Sequence, residues 1–221
     1  MPLGLFVTGT DTGVGKTVVS AALMHRYRAS VPLRYWKPIQ TGIEQDDDTA
    51  EVERLAHCRS NELFSEGVRL PRPLSPHLAA SLSGTTIELQ PLADSIRNAD
   101  TSTRWIVEGA GGVLVPINDS DTMADLMSLL GLPIVVAART ALGTINHTLL
   151  TVEALRSRAL QVAGVVLVGE PNAQNRAAIE RYGRVALLGE MPCLRPLTPE
   201  ALSSWATANL DPRRDLLEFL R

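Results

Sequence analysis

Lysine is almost missing from this chain. Of its 21 basic residues only Lys16 and Lys37 are lysines, and the other 19 are arginines. A guanidinium is a planar fork, whereas an ammonium is a compact point charge that fits tight sites. Chance could place two lysines, but both fall inside the motifs described below. Cysteine is equally scarce. Cys58 and Cys193 are far apart and in no metal-ligand spacing, which excludes a zinc ribbon or a disulfide-stapled scaffold. No apolar run reaches the roughly 18 residues of a membrane-spanning helix. The net charge of −3 gives no general pull toward nucleic acid or anionic lipid, so neither is an expected partner. No basic stretch precedes the apolar residues of Met1-Pro2-Leu3-Gly4-Leu5. That segment reads as a first strand rather than a signal peptide, and a cytoplasmic location is the expectation.

What is present is an ordinary globular composition, with 45% hydrophobic and 20% charged residues over 221 positions. One α/β domain spanning 1–221 is expected. Short apolar runs at 3–8, 33–37, 104–107, 132–138, 162–168 and 185–188 predict buried strands. Helical spacing covers 16–29, 49–57, 77–82, 89–99, 121–130, 145–158 and 175–182. Two terminal helices are expected at 199–210 and 213–220. Strands alternating with helices predict right-handed βαβ units on a mostly parallel sheet flanked by helices. Such sheets bind ligands at the carboxyl ends of their strands. The loops at 9–17, 37–42, 108–112, 139–146 and 168–172 lie there.

Gly9-Thr10-Asp11-Thr12-Gly13-Val14-Gly15-Lys16-Thr17 sits between a predicted strand and a predicted helix, the context of a phosphate-binding P-loop. Its glycines let successive N–H groups curl around phosphate oxygens, and the helix N-terminus adds partial positive charge. Lys16 is expected to reach the β- and γ-phosphates and the Thr17 hydroxyl to ligate Mg²⁺. The strict pattern wants glycine at position 10, where this chain has Thr10. Trp105-Ile106-Val107-Glu108 is an apolar strand ending in a carboxylate, the Walker B arrangement with Glu in place of Asp. Gly109-Ala110-Gly111-Gly112 follows, and its glycines predict close approach of backbone to a ligand. One of Asp46, Asp47 and Asp48 could complete a metal site, and spacing alone leaves all three open.

Together with Lys37-Pro38-Ile39-Gln40-Thr41-Gly42, Ser75-Pro76-His77 and Leu142-Gly143-Thr144-Ile145-Asn146-His147, these segments resemble dethiobiotin synthetases in order and spacing over nearly the whole chain. The resemblance implies a three-layer P-loop NTPase-like fold and closure of the ureido ring of dethiobiotin from 7,8-diaminopelargonate, CO₂ and ATP with Mg²⁺. A carbamate and its mixed anhydride with phosphate are the implied intermediates. It also implies a homodimer. Lys37 and Lys16 would be catalytic, and Thr17, Asp48 and Glu108 would hold the metal. Gly13, Val14, Gly15, Lys16, Thr17, Val18, Asp48, Glu108, Gly109, Ala110 and Gly111 would meet the nucleotide. Thr41 and Gly111, with Gly143, Thr144, Ile145 and Asn146 at a helix start, would meet the substrate and its tail carboxylate.

Three departures bear on these expectations. Val168 stands where the family commonly has an asparagine that reads the purine edge. Base recognition then falls to backbone or packing around Val168, Gly169, Pro192, Cys193 and Leu194, and other nucleoside triphosphates become possible co-substrates. Gly13 replaces a common glutamate. Asp11 stands where P-loop switch ATPases carry a signature lysine, which argues against a partitioning or assembly switch. The chain is also too short for the glutaminase domain of cobyrinate-amidating relatives, and neither cysteine lies in a nucleophile elbow.

Overall fold

The computed structural model describes residues 2–100 and 102–221. Seven strands form one sheet in the order β4-β2-β6-β1-β7-β8-β9, with every pairing parallel. In chain order they are β1 (Leu3–Gly9), β2 (Leu33–Trp36), β4 (Leu63–Phe64), β6 (Arg104–Gly112), β7 (Ile134–Arg139), β8 (Val162–Val168) and β9 (Leu187–Met191). The central strands β1, β6 and β7 are buried on both faces, which is why they read as continuous apolar runs rather than alternating ones.

Helices cover both faces, so the expected three layers are present. On one face α1 (Lys16–Tyr27), α2 (Asp48–Ala56) and α8 (Pro199–Asn209) pack on Leu5, Val7, Tyr35, Ile106 and Val135. On the other, α3 (Pro76–Leu82), α4 (Leu89–Arg97), α5 (Met123–Leu130), α6 (Thr144–Arg156) and α7 (Ala173–Gly183) enclose Phe6, Trp36, Trp105, Val107 and Val136. Period-2 alternation along each strand assigns its residues to the two cores. Side-chain caps fix several helix starts. Asp47 accepts from the Thr49 and Ala50 N–H groups, Asn172 from those of Gln174 and Asn175, and Thr198 from that of Ala201.

Three features depart from the sequence expectation. The two-residue strand β4 joins the main sheet beyond the six predicted strands. β3 (Ile39–Thr41) and β5 (Val68–Leu70) form a separate two-stranded parallel sheet, pairing Gln40 with Arg69. Three residues are too few to carry a periodic signal. The segment expected as a last helix is instead a short 3₁₀ turn, Asp215–Phe219. It is fixed by buried Asp211, which accepts from the N–H groups of Asp215 and Leu216 and from the Tyr27 hydroxyl.

Gly4 lies where β1 and β6 approach most tightly. A Cβ there would sit 2.2 Å from the Trp105 carbonyl oxygen, a backbone atom that cannot swing away. Gly4→Ala is expected to destabilise the fold by about 1–3 kcal/mol and to lower Tm by roughly 2–4 °C per kcal/mol for a chain of this size. Calorimetry checks it; an unchanged Tm would contradict this packing.

Candidate active site

The loop from Gly9 to Thr17 joins the central strand β1 to α1. Gly13 and Gly15 both have positive φ, 68° and 98°, so the tight curl needs glycine at these two positions. Val14 turns inward and is buried, anchoring the loop on the α1 side. Lys16 is the first residue of α1 and is buried, with Nζ 3.1 Å from the Asp11 carbonyl oxygen. Val18 packs half-buried against the same core. The Asp11 carboxylate is held 2.8 Å from Arg139 at the end of β7.

Next to the loop, four elements converge on one buried cluster. Lys37 follows β2 directly and is 3% exposed. Its Nζ donates to Glu108 Oε1 at 2.8 Å and to the Gly109 carbonyl at 3.0 Å, and it lies 2.6 Å from Asp48 Oδ2. The Thr17 hydroxyl is within reach of Asp48 Oδ1 at 2.8 Å and Glu108 Oε1 at 3.1 Å. Glu108 is fully buried within β6, not at its tip. Among the three neighbouring aspartates, Asp47 caps α2 and the Asp46 carbonyl accepts from Gln40. Asp48, the first residue of α2, is the one that faces Thr17 and Lys37.

The charges tune one another. Burial pushes the Lys37 ammonium down, but the Glu108 and Asp48 carboxylates outweigh it and hold the group above its ordinary 10.5. Burial pushes Asp48 up, but the Lys37 charge and hydrogen bonds from Lys37 and Thr17 hold it below its ordinary 3.8. Lys16 is lowered, chiefly by burial and then by repulsion from Lys37.

A hydroxyl and two carboxylates make an all-oxygen donor set, the kind a hard divalent cation takes. Among the described residues no group of three or more His, Cys, Asp or Glu side chains gathers. A magnesium ion held here would therefore draw its remaining ligands from phosphate and water, as Mg²⁺ commonly does.

The other expected site residues fall into two groups. Val168 packs on the P-loop: a Cβ on Gly15 would lie 3.1 Å from its Cγ1. Gly169 bonds the Met191 carbonyl, which brings the exposed Cys193 and half-buried Pro192 and Leu194 to the end of β8. Gly109 and Gly111 are required by the chain's own packing, since a Cβ would meet Phe6 at 2.9 Å and Val115 at 2.7 Å. Ala110 is buried beside them, and Thr41 sits half-buried at the end of β3. Gly143, with φ 94°, is the N-cap residue of α6, with no side-chain cap. The Thr144 hydroxyl donates to the Arg139 carbonyl. Ile145 and Asn146 follow in the first turn, where N–H groups have no partner within the helix. The hydrogen bonds of Thr144 run to Arg139, Thr148 and Ala141, not to the Lys37 cluster.

Sequence reasoning missed Tyr35, whose buried hydroxyl donates to Glu108 Oε2 at 3.0 Å, and Arg69, which donates to the Lys37 carbonyl at 2.8 Å. The two-residue offset between Tyr35 and Lys37 is the only signal that could have found the first.

A protein-family model described as an AAA domain matches residues 3–201. The ATP-dependent dethiobiotin synthetase BioD of Brucella ovis is 48% identical over 198 residues, 90% of each chain. The biotin biosynthesis bifunctional protein BioCD of Bordetella avium is 47% identical over 206 residues, which are 93% of this chain and 43% of that longer one. Among solved structures, Cyanthece apo McdA matches with a TM-score of 0.61 at 13% identity over all of both chains. A ParA family ATPase from Chlorobium tepidum TLS matches at 0.55 and 10% identity, over 100% of this chain and 98% of that one. At such identities the structures show a shared fold and nothing of function.

The cluster has a pH signature. Asp48 titrates below its ordinary 3.8 when folded, so its contribution is complete above that value and is lost as pH falls through the folded value. Lys37 titrates above 10.5, so its contribution is complete below that and is lost as pH rises through the folded value. The Tm of Asp48→Asn should therefore fall less steeply than that of the wild type as pH drops below about 3.8. Parallel acid limbs would contradict the pairing.

Proposed function

The chain belongs to the ATP-dependent dethiobiotin synthetase family, and from that premise we propose how its own residues carry the reaction. It is an ATP-dependent, C–N bond-forming ligase of biotin biosynthesis. The proposed substrates are 7,8-diaminopelargonate, CO₂ and ATP. One amine takes up CO₂ to give a carbamate. A carbamate oxygen then takes the γ-phosphoryl group of ATP, and ADP leaves. The second amine attacks the resulting mixed anhydride, phosphate leaves, and the ureido ring is closed.

The observation that carries this reading is Lys37, a buried ammonium shared between two carboxylates beside the P-loop. Phosphoryl transfer needs positioning and charge stabilisation more than covalent help from protein. Held above its ordinary pKa, Lys37 stays charged at neutral pH and can stabilise the carbamate oxygen and the transferring phosphoryl group. Lys16 binds the β- and γ-phosphates, exchanging the Asp11 carbonyl for a stronger acceptor. Thr17, Asp48 and Glu108 would hold Mg²⁺. Held there, the ion would supply positive charge that offsets the charge of the phosphate oxygens.

Thr41 and Gly111 line the diamine. Gly143, Thr144, Ile145 and Asn146 bind its tail carboxylate through the N–H groups of the first turn of α6. We place that contact at a homodimer interface. Leu142, just before α6, is fully exposed and Leu150 on α6 is 56% exposed, an apolar surface suited to a second copy. Val168, Gly169, Pro192, Cys193 and Leu194 enclose the base without a side-chain reader at 168, so CTP and GTP are candidate substitutes for ATP. A cytoplasmic location belongs to the same reading; no helix among the described residues is long and apolar enough to cross a membrane.

Phosphate release from ATP, CTP and GTP, with and without the diamine and bicarbonate, tests the assignment when dethiobiotin is followed by mass. Release that depends on the diamine and yields dethiobiotin is expected; release without it and no ring product would overturn the reading. Lys37→Arg should fold normally and lose roughly a hundredfold or more of turnover, because a planar cation cannot reproduce three contacts made by one compact nitrogen. Near wild-type turnover in that variant would remove Lys37 from its role.

A further inference from the structure

Glu108 is fully buried, and its two oxygens are not equivalent. Oε1 faces Thr17 at 3.1 Å and Lys37 at 2.8 Å. Oε2 accepts from the Tyr35 hydroxyl at 3.0 Å. The arrangement follows from strand register. Tyr35 on β2 pairs with Ile106 on β6. Glu108 is two residues further along β6, on the same face and within diagonal reach of an aromatic side chain. Tyr35 is itself fully buried in the core under α1 and α2, so its ring has no freedom to turn away.

A buried tyrosine hydroxyl needs an acceptor, and satisfying it could be all that this contact does. Two facts point further. The acceptor belongs to the expected metal site, and the bond occupies the one carboxylate oxygen that faces neither Thr17 nor Lys37. We propose that Tyr35 is a positioning residue that sets how Glu108 meets the divalent cation. With Oε2 engaged by Tyr35, Oε1 is the oxygen turned toward Thr17, and it would meet the cation by exchanging its Lys37 contact, so that the carboxylate binds through one atom. The inference rests on the magnesium reading above. One-oxygen ligation suits Mg²⁺, which is small and demands near-octahedral geometry, whereas Ca²⁺ accepts both oxygens of a carboxylate. Tyr35 would thus help the site favour magnesium over calcium.

The test measures binding, not turnover. The affinity of the intact protein for a non-hydrolysable ATP analogue is measured with Mg²⁺, with Ca²⁺ and with EDTA. The gain on adding each cation is then compared between wild type and Tyr35→Phe. The magnesium gain should fall about tenfold or more in the variant, in line with outer-shell substitutions at metal sites. The calcium gain should fall less, so the ratio of the two drops. Equal losses for both cations, or no loss, would overturn the role of Tyr35 while leaving the metal site standing. If the wild type gains nothing from magnesium, the magnesium reading itself fails, and the inference with it. Should Tyr35→Phe not fold, 3-fluorotyrosine in the wild type gives a second readout. The chain has three tyrosines, and the Tyr35 signal is identified by removing Tyr27 and Tyr182 in turn. That ¹⁹F resonance should move when magnesium joins the bound analogue; a resonance that stays put while magnesium binds would overturn the proposal.

Discussion

A buried ammonium must be matched by counter-charge, and the organisation of this protein around its site follows from that requirement at Lys37. Desolvating an ion is costly, and attraction in the interior offsets the cost only when geometry and hydrogen bonding are good. Lys37 meets the condition with Glu108, Asp48 and the Gly109 carbonyl, all within 3.0 Å. Each partner comes from a different part of the chain. Lys37 lies at the end of β2, Glu108 within β6 and Asp48 at the start of α2, with Thr17 at the start of α1 touching both carboxylates. Moving any one of these elements would leave a charge unmatched, so the cluster fixes their relative positions at the carboxyl edge of the sheet.

The surroundings support the cluster from below and beside. Trp36, Phe64 and Trp105 form an edge-to-face trio, with Arg34 stacked over Phe64 and Trp105. Trp36 precedes Lys37, and its indole donates to the Glu66 carbonyl at 2.7 Å, fixing the strand end that delivers the lysine. Arg69, from the small second sheet, holds the Lys37 carbonyl. With Lys16 included, two ammonium groups face two carboxylates, so the local charge is balanced. A polyphosphate with its cation can then enter by exchanging partners. The solved structures of a ParA family ATPase and of apo McdA share this fold at 10–13% identity, so the sheet alone does not assign the chemistry of this site.

Much of this was legible in the sequence because it is local. The strand–glycine loop–helix pattern located the P-loop, and the rarity of lysine drew attention to Lys16 and Lys37 before any geometry was known. The alternation of strands and helices was enough for a mostly parallel sheet flanked by helices, and the family resemblance implied its three-layer form. What was not legible depends on long-range placement. Tyr35 meets Glu108 through the β2–β6 register; its two-residue offset from Lys37 places it on the same face but does not by itself name its partner. Spacing alone left Asp46, Asp47 and Asp48 open; the resemblance pointed to Asp48, and in the structure Asp47 caps the helix while Asp48 faces Thr17 and Lys37. The three-residue strands β3 and β5 were too short to carry a period. The glycines at 109 and 111 predict close approach of backbone to a ligand; that Phe6 and Val115 also leave no room for a Cβ there is visible only in the structure.

The scarcity of lysine makes the central claim directly measurable. Protein labelled with ¹⁵N at the lysine side-chain nitrogens has two Nζ groups to observe, Lys16 and Lys37. If both ammonium groups belong to one nucleotide site, adding a non-hydrolysable ATP analogue with Mg²⁺ should displace both resonances together, with the same dependence on nucleotide concentration. A Lys37 signal that stays unmoved while the nucleotide binds and Lys16 responds would contradict the account, and would reduce the buried cluster to a structural ion pair.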